Sequence, residues 1–400
     1  NGEGMAGVAW QVRLMGVSFQ SPQSPFVYEH NIIEALDYAV SNGAQVCLVS
    51  STFYNYSQGL MDVLEAAKAK GVMVIYPAPG NVDSRKFFPL SHQLDNVMGV
   101  GDSDQDDHLA SFSSFGFTSL DLAAPAVDVL SIDPEASGGY ARWSGQGFSA
   151  AHLAGAMVLI KSIHPDATPA MIKEWVNAGA KRLPEMAGKF ISGGRLNLAE
   201  SLRLAALPPD ILPVSPLSTA VNLANRQVTL SWELPAGVSP DAIIVSRSLL
   251  NHPNTPGEGT VIFEGLGTSV TDDLSGTENR FAYYSVWARY GTTTLAMPRI
   301  ATTSFEFPGD NFADAVLLEG VAGTAVGNNL TATFELDEPA HNHNVFSFNS
   351  IWWKWVAPAT GILRVSTYGS EVGTILAAYH GPTLAQLTRL DASSPSPFAP

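Results

Sequence analysis

The chain has 400 residues, with 35 Gly, 26 Pro, one Cys and 46% apolar residues, too long for one ordinary core and long enough for two or three domains. Its 21 Lys and Arg against 37 Asp and Glu give a formal net charge of -16, which excludes the basic footprint of a nucleic-acid binder and a polybasic membrane patch. A single cysteine, Cys47, excludes an internal disulfide and a cysteine-rich zinc site, and no apolar run reaches the roughly 18 residues of a transmembrane helix.

Residues 1–205 alternate short β-branched runs with amphipathic helical patterns, the signature of an α/β domain with a mainly parallel sheet under helices. Residues 13–17 and 45–49 read as buried strands, with Ile32, Ile33, Leu36, Ala39 and Val40 forming a helical stripe between them. Leu60, Val63, Leu64 and Ala67 line a second helix that stops at Gly71, and 72–76 follows as a strand. Further short strands are expected over 96–100, 120–122 and 128–131. Thr168 and Pro169 supply the cap and first turn of a helix carrying Met171, Ile172, Trp175 and Val176.

Residues 206–221 contain four prolines and read as a linker. From 222 to 304 the pattern is β: Val228, Leu230 and Trp232 alternate with Thr229 and Ser231, and 243–245 and 281–290 add strand material, which fits a small β-sandwich. Residues 305–391 read as a second β-sandwich, with alternation at Trp353 and Trp355, at Leu363, Val365 and Thr367, and at Ile375, Ala377 and Tyr379. The Ser- and Pro-rich stretch 392–400 reads as a flexible tail.

A succession of phrases in the first half resembles the subtilisin-like serine protease family. The phrases are Gly-Glu-Gly-Met-Ala-Gly-Val-Ala-Trp at 2–10, Pro79-Gly80-Asn81 in place of an Ala-Gly-Asn oxyanion motif, and Phe88-Pro89 for a Tyr-Pro pair. Ala-Ser-Phe-Ser-Ser-Phe-Gly at 110–116, Ala124-Pro125-Ala126 and Gly-Gly-Arg-Leu-Asn at 193–197 follow in the family's order. The resemblance implies a three-layer α/β peptidase fold, incomplete at its start, with the family's catalytic aspartate and histidine preceding the part represented here. On this reading the chain is a fragment of a longer product, since a sheet lacking its first strands would expose apolar edges.

The decisive phrase is Gly-Gln-Gly-Phe-Ser-Ala-Ala-His-Leu-Ala-Gly at 145–155, which is similar to the family's Gly-Thr-Ser-Met-Ala-x-Pro-His-Val-Ala-Gly without a gap. Gly147 then occupies the nucleophile position, and glycine has no atom to attack a carbonyl. Asn81 matches the side-chain oxyanion donor, and Ser50, Ser51, Thr52 and Phe53 stand where the family's Ser-Leu-Gly-Gly edge pairs with substrate, next to Pro79 and Gly80. Thr52 and Phe53 replace glycines that permit close approach, which narrows the cleft. Ser149, turned about 200° from Gly147 along a helix, and Ser144, before the turn, do not replace the nucleophile.

The expectation is therefore a non-catalytic subtilisin-like protein with a peptide- or protein-binding role. The alternatives are a serine endopeptidase active in its full-length form and a secreted adhesion or structural protein. His152 reads as a packing histidine and Cys47 as a buried apolar residue. Asp102, Asp104, Asp106 and Asp107 form an acidic turn without the glycine and glutamate of a calcium loop, so no cofactor is assigned and a structural calcium lacks a complete motif. Gly145 and Gly147 do not belong to a nucleotide-binding loop. His341 and His343, near Asp337 and Glu338, have a spacing that permits joint metal ligation but read as a surface turn. Trp352 is the residue that would betray a carbohydrate platform if exposed; Trp353 and Trp355 read as core. Residues 222–304 resemble a fibronectin type III domain, and 309–390 resemble a bacterial pre-peptidase C-terminal module through 310–315, 353–358 and 374–379. These resemblances imply export to the medium or surface of a bacterium, with contacts to a cell surface or extracellular polymer.

Overall fold

A computed structural model describes residues 4–19, 27–51, 53, 56–80, 87–92, 94–208, 210–222, 225–277, 281–305, 309–325, 327, 332, 335, 338–339, 341, 350–367 and 375–393. The chain divides into two compact units, Asn1–Thr303 and Ser304–Pro400.

The first unit opens with an α/β region. Its helices are α1 (Glu29–Ser41), α2 (Gln58–Ala69), α3 (Gln146–Ile163), α4 (Pro169–Ala178) and α5 (Leu198–Ala205). Its main sheet contains β1 (Val46–Leu48), β2 (Met73–Pro77), β3 (Val97–Ser103), β4 (Leu122–Pro125), β7 (Lys181–Arg182) and β8 (Gly194–Arg195), in the order β1-β2-β3-β4-β8-β7. All neighbours are parallel except β7 and β8. A separate hairpin pairs β5 (Val129–Ile132) with β6 (Tyr140–Trp143).

Alternation along β2 builds the layers. Val74 and Tyr76 join one core with Ile32 and Leu36 of α1 and Leu60 and Leu64 of α2, while Met73 and Ile75 join another with Leu153 and Met157 of α3 and Ile172 of α4. A strand period of two thus places successive residues in two cores, and the fold is a three-layer α/β/α arrangement. Helix limits follow local chemistry: Ser57 accepts from the Leu60 N–H and Thr168 from the Met171 N–H. Gly71 ends the α2 turn at φ +72°, where a side chain would be strained.

The expected strand at 13–17 is not formed. Among the described residues nothing pairs with this stretch, and Leu14 is 92% exposed; apolar alternation alone does not hold a strand that has no neighbour. The strand expected at 120–122 begins instead at Leu122 and runs to Pro125.

The same unit continues into a β-sandwich of β9 (Leu217–Asn222), β10 (Gln227–Trp232), β11 (Ala242–Ser248), β12 (Thr260–Gly265), β13 (Ser269–Asp273), β14 (Phe281–Tyr290), β15 (Thr294–Leu295) and β16 (Arg299–Ser304). One sheet has the order β13-β10-β9; the other runs β12-β11-β14-β15, with β16 on β14. β9 takes most of the end of the Pro-rich 206–221 stretch into the first sheet by pairing with all six residues of β10. Val228, Leu230 and Trp232 are buried as their alternation requires, and the Trp232 ring meets Phe263 of the opposite sheet at 5.5 Å.

The sandwich is anchored to the α/β region through the loop after β11. Asn251 Nδ2 donates to the carbonyls of Leu183 (2.9 Å) and Gly193 (2.8 Å), and the next ring, His252, places Nε2 3.2 Å from the Ile191 carbonyl and Nδ1 3.1 Å from that of Tyr284. Burial, reinforced by Arg182, pushes the His252 imidazole down to about 3, so it is neutral. Arg299 pairs with Glu174 of α4, and Phe281 meets Phe117 edge-on at 5.4 Å.

The second unit is described in part. β17 (Val316–Leu318) pairs in parallel with β18 (Trp353–Trp355), and β19 (Leu376–His380) pairs antiparallel with β20 (Thr388–Ser393). Residues 363–367 are not a strand, and Leu363 and Val365 are exposed. Trp352 is buried against Phe312, His341 and Tyr379, and so does not form an exposed platform.

Candidate functional site

Parallel strands send their following loops out at one edge of the sheet, and in open α/β folds ligands bind outside those carboxyl ends. Here the segments after β1 (from Ser50) and after β2 (Ala78 to Gly80), and the start of α3, which the β5–β6 hairpin separates from β4 along the chain, all occupy that edge. The Val49 N–H donates to Ile75 at 2.9 Å, holding the first two together. The Gly145 N–H donates to the Ala126 carbonyl at 2.9 Å, which ties the beginning of α3 to the end of β4.

Gly147 is the second residue of α3 and is exposed. A Cβ built on it meets no atom within 4 Å. Across from it, a Cβ on Gly80 would collide with the Gln146 amide nitrogen, so the Gln146 side chain lies directly against Gly80. The structure therefore brings Pro79 and Gly80 beside the turn that carries Gly147. Ser50 is exposed, while Ser51 and Phe53 are half-buried; Asn81 and Thr52 lie outside the described residues. Phe53 exchanges two backbone hydrogen bonds with Phe88, at 3.1 and 2.8 Å.

The other hydroxyls near Gly147 have separate partners. Ser144 Oγ accepts from the Asp128 N–H at 3.0 Å. Ser149 points into the interior, with Oγ 2.7 Å from Asp102 Oδ1 and 2.7 Å from the Gln146 carbonyl oxygen. His152 Nδ1 lies 2.8 Å from the Phe148 carbonyl one turn back. Burial raises the Cys47 thiol to about 11, an unreactive state.

The acidic turn does not gather its carboxylates. Asp102 is fully enclosed, and Asp104 Oδ1 accepts from the Asp106 and His108 N–H groups at 2.9 Å each. Asp107 binds Arg195 and, at 2.5 Å, Lys181, and these two cations hold its carboxyl below the usual range. In the second unit, His341 sits between Glu338 (2.6 Å) and the Tyr379 hydroxyl (2.7 Å), while His343 and Asp337 lie outside the described residues. Among the described residues, no group of three or more His, Cys, Asp or Glu side chains is placed to hold a metal ion. None of the described helices is long and apolar enough to cross a membrane.

Sequence reasoning missed two contacts at this edge: Gln146 against Gly80, and Ser149 with Asp102. A hydroxyl in the otherwise apolar phrase 148–151 was the available signal for the second.

Comparison with known proteins finds relatives for the first part of the chain. Residues 1–194 match the model of the subtilase family. A thermophilic serine proteinase of Bacillus sp. (strain AK1) is 35% identical over 131 residues, covering 33% of this chain and 32% of that protein. Subtilisin Savinase of Lederbergia lenta is 32% identical over 151 residues, covering 36% of this chain and 52% of that protein. Among solved structures, the prenylagaramide maturation protease PagA aligns at 23% identity with a TM-score of 0.40, covering 46% of this chain and 70% of that one. The chain thus spans about a third to a half of the length of these curated relatives.

Proposed function

We propose that this chain, whose residues 1–194 are related to the subtilases, is a non-catalytic member that holds an extended peptide or protein segment at the carboxyl edge of its parallel sheet. The observation that carries this reading is Gly147: the place matching the family's nucleophile is exposed, open and without a side chain. An acyl-enzyme needs an oxygen or sulfur there, and the two nearby serines are engaged elsewhere. Pro79 and Gly80, with Ser50 and Ser51, supply the surface for a bound backbone, and the function needs no cofactor. The fibronectin-like and pre-peptidase-like resemblances of 222–304 and 309–390 extend the proposal to an exported bacterial protein whose later regions contact a cell surface or extracellular polymer.

The test uses unstructured casein as the probe, together with a serine-directed fluorophosphonate. The expected result is casein binding without hydrolysis or labelling. Hydrolysis by the chain with Gly147 overturns the non-catalytic reading, and absence of binding by the folded protein overturns the binding reading.

The open space at Gly147 supports a second reading, a serine endopeptidase of the resembled family whose full-length form hydrolyses peptide bonds. It requires that Gly147→Ser, in the longest available form of the protein, hydrolyse casein and accept the fluorophosphonate. If that variant folds and stays silent, this reading fails.

A further inference from the structure

Ser149 is the fourth residue of α3 and is 0% exposed, as is Asp102 beneath it on β3. Its Oγ lies 2.7 Å from Asp102 Oδ1 and 2.7 Å from the Gln146 carbonyl. A hydroxyl has one hydrogen, whereas a carbonyl and an ionised carboxylate only accept. If Asp102 were ionised, two acceptors would compete for that single hydrogen. Asp102 Oδ2, buried without a hydrogen-bond partner, would also share a charge in apolar surroundings. Both conflicts disappear when Asp102 is protonated: it donates to Ser149, and Ser149 donates to Gln146.

We infer that Asp102, Ser149 and Gln146 form a proton-dependent clamp on the first turn of α3, the turn that presents Gly147. Asp102 carries the proton that closes it. Gln146 is held by its carbonyl from below and lies against Gly80 with its amide, so opening the clamp acts on the contact between the two sides of the site.

The surroundings agree. Burial is the dominant influence on Asp102 and raises its carboxyl to about 6, with the Ser149 hydrogen bond opposing it. Beside Asp102, β4 contributes Ala124, and the loop before residue 114 contributes Ser113, whose Oγ accepts the Asp102 N–H at 2.9 Å. β2 brings Pro77 and Ala78 against Val100 of β3. Of the ionisable groups on the adjoining turn, Asp104 is engaged with turn amides, Asp107 with Arg195 and Lys181, and Asp106 and His108 are exposed. On α3, His152 is engaged with Phe148.

The test is a 13C titration of the aspartate carboxyls in the whole chain, with Asp102 assigned from the signal lost in Asp102→Asn. The expected midpoint is about 6, and a midpoint in the ordinary range near 4 overturns the inference. Ser149→Ala removes the partner with which the Asp102 carboxyl exchanges its hydrogen bond, so the midpoint should shift; an unchanged midpoint overturns the Ser149 link. In the natural chain, hydrogen-exchange protection of amides 149–152, corrected for intrinsic rates, should fall several-fold as pH rises through the midpoint. Asp102→Asn should abolish that dependence. A merely structural Asp102 would leave protection flat with pH, and that result also overturns the clamp.

Discussion

Phe53 and Phe88 form an antiparallel pair, the Phe53 N–H donating to the Phe88 carbonyl at 3.1 Å and the Phe88 N–H to the Phe53 carbonyl at 2.8 Å. The backbone of Phe53 is thereby committed to its own chain, so a peptide bound as proposed would pair at Ser50 and Ser51 instead. Phe53→Pro removes one donor and leaves the Phe88 carbonyl unpaired. The expected loss is about 1–3 kcal/mol in urea unfolding. Phe88→Ala removes a ring that is 1% exposed, and its expected loss is larger, about 3–5 kcal/mol.

Two glycines should respond oppositely to a side chain. Gly147 faces open space, so Gly147→Ser should change stability by no more than about 0.5 kcal/mol, and in the favourable direction if helix propensity decides. A Cβ on Gly99 would lie 2.7 Å from the Ser119 carbonyl oxygen and 2.8 Å from Leu120 and Leu90 side-chain carbons. Gly99→Ala should therefore destabilise by about 1–3 kcal/mol. Chemical denaturation of the two variants side by side measures the difference, and equal effects would contradict the packing described.

Asn251 satisfies two carbonyls of the α/β region with one amide. Asn251→Ala leaves both without that donor, and a lowering of stability by about 1–3 kcal/mol is expected. Calorimetry should show the melting temperature of the first unit falling; an unchanged melting temperature would mean that the anchor contributes nothing.

Asp107 gives a pH dependence of opposite sign to that of Asp102. Arg195 and Lys181 depress its folded pKa, so its stabilisation is present above the ordinary carboxylate value and is lost as pH falls through the depressed one. Asp102 is raised to about 6, so its stabilisation is full below the ordinary value and is lost as pH rises towards 6. Stability curves of Asp107→Asn and Asp102→Asn, each subtracted from the natural chain, should slope in opposite directions over the acidic range.

The helices were legible because their signals are local. Leu60, Val63, Leu64 and Ala67 recur at the helical period and are buried together, and Ser57 and Thr168 stand as caps next to them in sequence. The helix that begins beside Gly147 was legible for the same reason, since one contiguous phrase surrounds it. Residues 13–17 misled because alternation reports a side-chain pattern and says nothing about whether a neighbouring strand is present to accept the hydrogen bonds. Leu217 to Val221 misled in the other direction: proline content hid a strand whose partner, β10, lies close along the chain. The union of Asp102 with Ser149 spans 47 positions, and no local pattern carries that information.

The Asn251 and His252 anchor bears on how this protein can be divided. A truncation near residue 206, where composition changes, would strip Leu183, Ile191 and Gly193 of the groups that meet their carbonyls and uncover Phe117 where Phe281 now rests. The natural joint lies instead between Thr303 and Ser304. Recombination or shortening at that joint would carry the site and its sandwich as a single heritable piece, whereas exchange at the earlier point would have to rebuild an interior.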